Sequence, residues 1–535
     1  MKQAAEKTPV SVVILAKNEA SRIRECLESV DWADERLVID DGSTDSTPQT
    51  ASGMGARVLA RKMDLEGRHR NWAHAQAKHE WILSVDADER VTPELAQEIQ
   101  RLLSNSPDCD IYAIPRRNYI GSRWVRHGGW YPAPQVKLFK KSRFEWEETT
   151  VHPRAISKSD KPWGELRKDL IHYSYRDISD FIGKLNRQTT LEAEKWVRDG
   201  RKMGLGKALF RSIDRFSKAL WLKKGHRDGF IGYFAAVCAG MYQFLSYAKY
   251  WHLESRTGFR GDTLHTNEKK QRVPPEPGTP DSDLSVVILT RNASESIGRC
   301  LESVQWAGQV IVVDGGSTDE TVSLCERAGA QVIHRPPTDN FGEERNAGTA
   351  AARGEWVLQL DADEVVTPEF REALEQILRS DGPYAAYKFR RINFFLGRRM
   401  RFGGWEHDSL HLFKRGSARY EGRVHERLMV QGRIGTLKVG VHHAPFHSLE
   451  QFLDRQNRYT TLEAAQMVES KEPIPLRTIW AETRIRPIRL FWKIMVKKQG
   501  FRHGIIGLIF GTLFSFVHFL KWAKVWESLY AKDKT

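Results

Sequence analysis

The stretch Trp81-Ile82-Leu83-Ser84-Val85-Asp86-Ala87-Asp88-Glu89 decides how this chain is read. An apolar run delivers two carboxylates, one residue apart, to the C-terminal end of a predicted buried strand. The pattern returns in the second half of the chain as Trp356-Val357-Leu358-Gln359-Leu360-Asp361-Ala362-Asp363-Glu364. Both copies continue into Thr-Pro-Glu, Thr92 to Glu94 and Thr367 to Glu369. Two Asp at one strand end make a hard, oxygen-rich corner that suits Mg²⁺ or Mn²⁺ rather than zinc. Mg²⁺ is commonly held by one or two carboxylates plus substrate phosphates, so the corner implies a phosphorylated donor, with Asp86, Asp88, Asp361 and Asp363 as metal ligands. A lone Asp-Ala-Asp reads equally well as a strand end before a helix, with Thr92 as N-cap and Pro93 at the first helical position. The duplication and the motifs around it weigh toward chemistry.

A length of 535 residues predicts two or more domains, each half long enough to bury a core. The net charge of +15 points to an anionic partner: nucleic acid, nucleotide or an acidic membrane. Five cysteines show no CxxC spacing, and Cys26 and Cys300 occupy matching positions on a predicted helix face. Packing and a reducing compartment are expected. Met1 to Pro9 is polar, and the apolar run from Val10 to Ala16 enters a repeated motif with no cleavage-like site, so both halves are expected on the cytoplasmic side.

Aligning Ser11 to Thr47 with Ser285 to Thr321 without gaps gives 21 identities in 37 positions, which establishes an internal repeat. In each half a continuous β-branched run (Val10 to Leu15, Leu284 to Leu289) predicts a buried strand. An amphipathic helix follows, then a strand ending in Asp40-Asp41-Gly42-Ser43-Thr44-Asp45 or Asp314-Gly315-Gly316-Ser317-Thr318-Asp319. A helix, a third short strand and a helix opening at Arg70-Asn71 or Arg345-Asn346 lead to the paired Asp. This alternation predicts an α/β fold with a parallel, doubly wound sheet, whose ligands bind beyond the carboxyl ends of the strands. A later strand-rich stretch containing Gly-Gly-Trp (Gly128 to Trp130, Gly403 to Trp405) predicts a mixed extension over the pocket.

Each half closes with basic, aromatic helices. Arg198 to Arg227 holds ten Lys or Arg against two Asp, and Arg484 to Arg502 holds seven and no acid. Long uncharged runs follow, Phe230 to Ala248 and Gly504 to Leu520, close to the length of a spanning helix. Lys and Arg flank both ends of the first run, without positive-inside asymmetry, and both halves need the same compartment. An interfacial or shallowly inserted helix drawn to anionic lipid is therefore expected, with a soluble helical hairpin as the alternative. The expected domains are residues 1–190, helices 191–260, a flexible Pro-, Lys- and Glu-rich linker 261–283, a second domain 284–465 and helices 466–535.

The opening strand with Ala16-Lys17-Asn18-Glu19, the Asp-x-Gly-Ser-Thr-Asp turn and the paired Asp resemble family 2 glycosyltransferases of the GT-A fold. Gly-Gly-Trp, Leu-Phe-Lys, Val-His-Glu, Tyr175-Arg176-Asp177 with Lys184-Leu185-Asn186-Arg187, and Tyr247-Ala248-Lys249-Tyr250-Trp251 make each half similar to the lipopolysaccharide core β-1,4-glucosyltransferases. Lys521-Trp522-Ala523-Lys524-Val525-Trp526-Glu527 echoes the last motif. The resemblance implies inverting transfer of a hexose, glucose in the narrower family, from a nucleotide-diphosphate sugar such as a UDP-sugar to a membrane-borne, lipid-linked glycan. It implies two tandem GT-A domains, and donor-binding roles for Asn18, Asp40, Asp41, Asp45, Arg70, Asn71 and Asp86. The second half supplies Asn292, Asp314, Asp319, Arg345, Asn346 and Asp361. A carboxylate must also accept the proton of the attacking hydroxyl. The second half offers Asp408 and Glu426; the first has Ala133 or Pro134 and Pro153 there, and could use Glu147 or Glu148. Glu426 reads alternatively as an ion-pair partner of Arg423 or Arg427. His152 and His425 could orient phosphate or meet the metal, or serve as ordinary hydrogen-bonding groups.

Three other readings stand beside the enzyme. A nucleic-acid binder fits the charge, but no recognised nucleic-acid motif is present and the basic residues gather beside apolar helices. A membrane scaffold would keep only the second half catalytic. A nucleotidyltransferase would usually carry a Gly-rich loop after the first strand, and Ala16 to Glu19 has no Gly.

Overall fold

The computed structural model describes residues 8–149, 153–258, 283–336, 340–380, 382–422, 426–470 and 473–531. Contacts divide the chain into two compact units. One comprises Met1–Glu254 with Gln456–Ile479 and Leu520–Thr535; the other comprises Ser255–Arg455 with Trp480–Phe519. The division assigns parts of the C-terminal helices to the first unit, and so cuts the chain elsewhere than the domain boundaries expected from sequence.

In the first unit, β1 (Val10–Ala16) pairs in parallel with β2 (Glu35–Asp40) and with the strand Trp81–Asp86. Helix α1 (Ile23–Ser29) links β1 to β2, and α2 (Thr47–Gly53) links β2 to β3 (Arg57–Ala60). Helix α3 (Glu66–Ala75) then leads into β4 (Trp81–Asp86), giving the parallel order 3-2-1-4. Val12, Val13 and Ile14 are fully buried, each worth roughly 1.5–3 kcal/mol against exposure. The parallel pattern stops there: Gln135–Lys140 pairs antiparallel to β4, so the sheet is mixed beyond its fourth strand. A short strand, β5 (Glu89–Val91), follows the paired Asp, and Thr92 caps α4 (Pro93–Ser104) by accepting from Leu95 N at 3.2 Å.

Next come β6 (Ile111–Ile114), β7 (Arg116–Ile120), β8 (Arg123–Trp124) and β9 (Gln135–Lys140). After β10 (Phe144–Trp146), β11 (Ala155–Ser157) and β12 (Gly164–Glu165), the sheet region ends at β13 (Leu170–Tyr175). Pro115 separates β6 from β7, and the two belong to different sheets. Helix α5 (Ile178–Arg198) is tied to α7 (Gly229–Gly258) by a buried ammonium. Lys249 Nζ donates to Asn186 O and Oδ1, both at 2.6 Å, and to Thr190 Oγ1 at 2.7 Å. Three partners offset the cost of burying that charge. The same clamp recurs within this unit at Lys524, which reaches Asn457, Thr460 and Thr461. Between α5 and α7 lies α6 (Leu205–Ser217).

The second unit repeats the plan. Strands β14 (Leu284–Thr290), β15 (Gln309–Asp314), β16 (Gln331–His334) and β17 (Trp356–Asp361) form the parallel 3-2-1-4 set. They alternate with α8 (Ile297–Val304), α9 (Thr321–Arg327) and α10 (Phe341–Ala350). After β18 (Glu364–Val366) and α11 (Pro368–Leu378), β19 (Tyr384–Phe395) runs unbroken for 12 residues. Arg390 stands at the repeat position that Pro115 fills in the first half. A proline removes one ladder donor and restricts the residue before it, so its absence lets one strand serve where the other half needs two. The result is a single nine-stranded sheet that also includes β20 (Arg398–Arg399), β21 (His407–Lys414) and a long final strand, Arg433–Phe446.

Candidate active site

The first carboxylate of each pair is locked by cations. Asp86 receives Arg70 Nη1 at 3.3 Å and Lys137 Nζ at 2.9 Å, and Lys137 also reaches Glu89 at 2.6 Å. Burial alone would raise the Asp86 carboxyl, but Lys137 and Arg70 hold it well below the usual carboxylate range. In the second half Asp361 receives Arg345 Nη2 at 2.7 Å and Arg391 on its other oxygen. Burial again works against ionisation, and Arg345 and Arg391 overcome it.

The second carboxylate of each pair faces a histidine that sequence reasoning did not single out. His172 Nε2 lies 3.7 Å from Asp88, and His443 Nε2 lies 3.4 Å from Asp363. A chain of hydrogen bonds fixes these rings. Trp405 O, from Gly-Gly-Trp, accepts from Asn393 Nδ2 at 2.6 Å. The amide oxygen therefore faces His443 Nδ1, at 2.6 Å. Since Asn Oδ1 can only accept, the neutral ring carries its proton on Nδ1 and turns the lone pair of Nε2 toward Asp363. Asp363 Oδ1 is buried and meets no donor in good hydrogen-bond geometry; burial would raise its carboxyl, but the neighbouring His443 and Arg455 hold it well below the usual carboxylate range. The first half repeats the relay as Trp130 O, Asn118 (2.5 Å) and His172 Nδ1 (2.7 Å).

An orphaned carboxylate oxygen facing an imidazole lone pair is what a cation would resolve. Neighbouring ligands on an octahedral cation with bonds of about 2.1 Å stand about 3.0 Å apart, so the 3.4 Å gap would have to close by a few tenths of an ångström for the two to share one cation. Arg455 Nη1 holds the other Asp363 oxygen at 3.2 Å. Among the described residues, no three His, Cys, Asp or Glu side chains converge on one point. Each half thus offers two ligands and leaves room for phosphate oxygens and water. The expectation placed the metal on both Asp of each pair, whereas this geometry favours the second Asp with its histidine.

The other expected site residues fall at the strand ends, but most are occupied by the framework. Asn18 and Asn292 adopt φ of 54° and 50°, a left-handed turn that Asn tolerates. Their Oδ1 atoms accept from Thr44 N and Thr318 N, each at 2.8 Å. Asp40 and Asp314 cap the turn by accepting from Ser43 N and Ser317 N, each at 3.1 Å. Asp45 and Asp319 accept from Thr47 N and Thr321 N, each at 3.0 Å, and start the following helices. Asn71 and Asn346 bond at both ends of the amide to the backbone of Trp146 and Tyr420. These contacts account for them without a ligand. Arg70-Asn71 and Arg345-Asn346 also stand inside α3 and α10 rather than opening them, because the helices begin a full turn earlier, at Glu66 and Phe341.

Asp41 and its missing counterpart resolve differently. Asp41 accepts from Met63 N at 2.6 Å and pairs with Lys17 at 3.1 Å. Gly315 has no carboxylate, yet Glu344 Oε1 comes within 3.6 Å of where a Cβ on Gly315 would sit. Glu344 replaces His69 on the equivalent helix. The acid has moved from loop to helix while staying beside the same turn.

Of the two carboxylates expected as bases, Glu426 has a largely buried side chain and pairs with Arg345 Nε at 2.8 Å rather than with Arg427. Asp408 is exposed and lies across from Arg390, 3.7 Å from its Nε. In the first half Arg70 Nε pairs instead with Glu66 at 3.1 Å. Arg423, His152 and His425 lie outside the described residues. The first half also holds a cleft of about 300 Å³ lined by Arg116, Asn118, Trp130, Ala133, His172 and Tyr175, with no carboxylate in its wall.

A doubly copied α/β domain, with acidic and histidine side chains gathered at the strand ends, is the frame in which the family assignment falls. The family "Glycosyl transferase family 2" matches residues 11–160 and 285–428, more than half of the chain, and the protein belongs to it. The chain is 27% identical over 260 residues to an uncharacterized glycosyltransferase of Rickettsia felis, covering 46% of this chain and 90% of the relative. It is 24% identical over 250 residues to the lipopolysaccharide core biosynthesis glycosyltransferase LpsC of Rhizobium meliloti, covering 45% and 92%. These relatives each correspond to about half of the chain, in keeping with the duplication. Among solved structures, glucosyl-3-phosphoglycerate synthase from Mycobacterium tuberculosis, crystallised with Mn²⁺, UDP and glucosyl-3-phosphoglycerate, is 25% identical. That match has a TM-score of 0.19 and spans 22% of this chain and 45% of the other, less than half its length. The fold read from sequence, two tandem GT-A domains, and the activity, glycosyl transfer, both hold.

Proposed function

We propose that the protein transfers a hexose, glucose by resemblance, from a nucleotide-diphosphate sugar to a lipid-linked or lipopolysaccharide core glycan at the cytoplasmic membrane face. The single observation that carries the reading is the Trp405–Asn393–His443–Asp363 relay, which leaves a buried carboxylate oxygen and an imidazole lone pair facing each other. Asp363 with His443, and Asp88 with His172, would hold Mg²⁺ or Mn²⁺. Such a cation, when bound, neutralises charge that develops on the diphosphate leaving group.

The remaining work falls to the chain. Arg345, buried between Asp361 and Glu426, fixes both carboxylates beside the strand ends, where the diphosphate lies in folds of this class. Asp41 in the first half and Glu344 in the second would contact the donor base. Asn18, Asp40, Asp45, Asn71 and their repeats shape that pocket. Glu426 is the proton acceptor we favour over Asp408, because it belongs to the same network as Asp361. The first half has no acid at that position, so the second half is the more secure catalyst. The alternative is that the first half binds donor or positions the chain without transferring. LpsC, named for lipopolysaccharide core biosynthesis, supports the acceptor class.

Transfer to detergent-solubilised lipooligosaccharide from a panel of nucleotide sugars tests the reading. Glucosyl transfer that requires Mn²⁺ or Mg²⁺ is expected. Donor turnover with no product on any glycan-bearing lipid would overturn the acceptor assignment.

A further inference from the structure

The basic stretch of each half ends in a helix whose apolar face is left open. In the first half α6 runs into a wider turn over Lys218–Leu222. Phe210, Ile213 and Trp221 stand at i, i+3 and i+11, a spacing that places them on one face. Their relative exposures are 70%, 67% and 62%, and Leu222 beside them is 73% exposed. In the second half Ile485, Ile488 and Val496 occupy the repeat positions of Phe210, Ile213 and Trp221, and Trp492 joins them at the position of Ser217. Ile485, Ile488, Trp492 and Val496 are 49%, 71%, 59% and 43% exposed.

The long apolar helices that follow behave in the opposite way. Phe234 and Leu245 in the first, and Ile509 and Leu513 in the second, are fully buried. Their most apolar windows are 61% and 56% buried within the protein. A helix that is apolar all round and packed inside has already spent its surface, whereas an amphipathic helix with an open apolar face has not. Sequence reading put the lipid contact on the long runs; the packing moves it to the helices before them.

Charge identifies what the ridge meets. Arg211, Lys218, Lys223 and Arg227 are matched in the second half by Arg486, Lys493, Lys498 and Arg502, and Asp214 on the first helix is replaced by Arg489. Asp214 pairs with Lys218 at 2.9 Å, so the first ridge carries little free acid. Aromatic and branched side chains flanked by cations match the depth profile of an anionic bilayer surface: apolar groups below the headgroups, ammonium and guanidinium groups among them.

We propose that these two ridges are the surfaces by which the protein docks onto an anionic phospholipid bilayer, with the amphipathic helices lying in the interface and the long apolar helices remaining in the protein core. The proposal rests on the membrane-acceptor reading for its purpose, though not for its geometry.

Flotation of the full chain with phosphatidylglycerol–phosphatidylcholine vesicles, and with pure phosphatidylcholine vesicles, tests it. The intact protein is expected to float with the anionic vesicles and to be released by salt. Glutamate at Ile213, Trp221, Ile488 and Trp492 together should reduce partitioning by about tenfold or more, since apolar insertion and charge act jointly. Because all four side chains are exposed, the melting curve should be unchanged. The variants Ile213→Ser and Ile488→Ser keep the test open should the glutamates disturb folding. Equal flotation of parent and well-folded variants would overturn the proposal, as would self-association of the parent in place of vesicle binding. Donor hydrolysis in vesicle-free solution, read on the same samples, separates the two ideas. Binding without turnover keeps the ridges and counts against the proposed donor; turnover without binding keeps the donor and overturns the ridges.

Discussion

Asn393 shows how much of the site depends on one amide. Its nitrogen is fixed by a main-chain carbonyl and its oxygen fixes a ring, so the residue orients His443. Outer-shell partners of this kind typically carry about 10–100-fold in metal affinity. Asn393→Ala is expected to weaken Mn²⁺ binding by that amount, read by electron paramagnetic resonance. It should also shift the ¹⁵N signature of His443 away from a single Nδ1–H tautomer. An unchanged tautomer with full Mn²⁺ affinity would remove the relay from the account. Glu426→Gln keeps an acceptor for Arg345 but cannot take a proton. Transfer by the second half should fall by about 10²–10⁴-fold with donor affinity retained; a small loss with lowered thermal stability would make Glu426 a structural partner of Arg345. The paired Asp were legible because an apolar strand announced them. His172 and His443 were not, because they lie far downstream on strands whose pairing brings them back beside β5 and β18.

Elements were legible wherever a continuous apolar run or a cap marked them. Thr92 caps its helix as read, Thr367 does the same in the repeat, and the alternation of strands and helices showed the parallel core but not its 3-2-1-4 order. The starts of α3 and α10 were missed for a local reason. Leu65 offers no side-chain cap, whereas Asn340 does, accepting from Glu343 N at 3.2 Å, so the two copies share no start signal. Gly-Gly-Trp was recognised as a motif, but its use is tertiary. Gly128 N donates to Lys223 O, and Gly403 N to Lys498 O, both at 2.7 Å, which seats a helical turn against each loop. That turn leaves no room on the helix that follows. A Cβ on Gly507 would stand 2.1 Å from Gly500 O, and one on Gly232 would stand 1.9 Å from Gly225 O. Gly507→Ala should therefore destabilise by about 1–3 kcal/mol or more, as overpacking does. Urea unfolding followed through the second unit measures it, and an unchanged midpoint would show that the helix can move aside freely.

At the scale of the whole chain, duplication with divergence is the feature that organises function. Both halves keep the Asp–His relay, and only the second keeps Glu426 beside the arginine that holds Asp361. The long apolar runs were legible as helices, whereas hydropathy alone reports that such a helix must be buried and not in what. Gly315 stands where the first half has Asp41, and only packing reveals Glu344 beside that position. The most direct measurement is donor turnover and transfer on the intact protein and on Asp88→Asn and Asp363→Asn, with Mn²⁺ or with EDTA. The account predicts metal-dependent transfer that disappears in Asp363→Asn, and a separate product lost in Asp88→Asn would add a second transferase to the chain. Transfer that survives both EDTA and Asp363→Asn would contradict it.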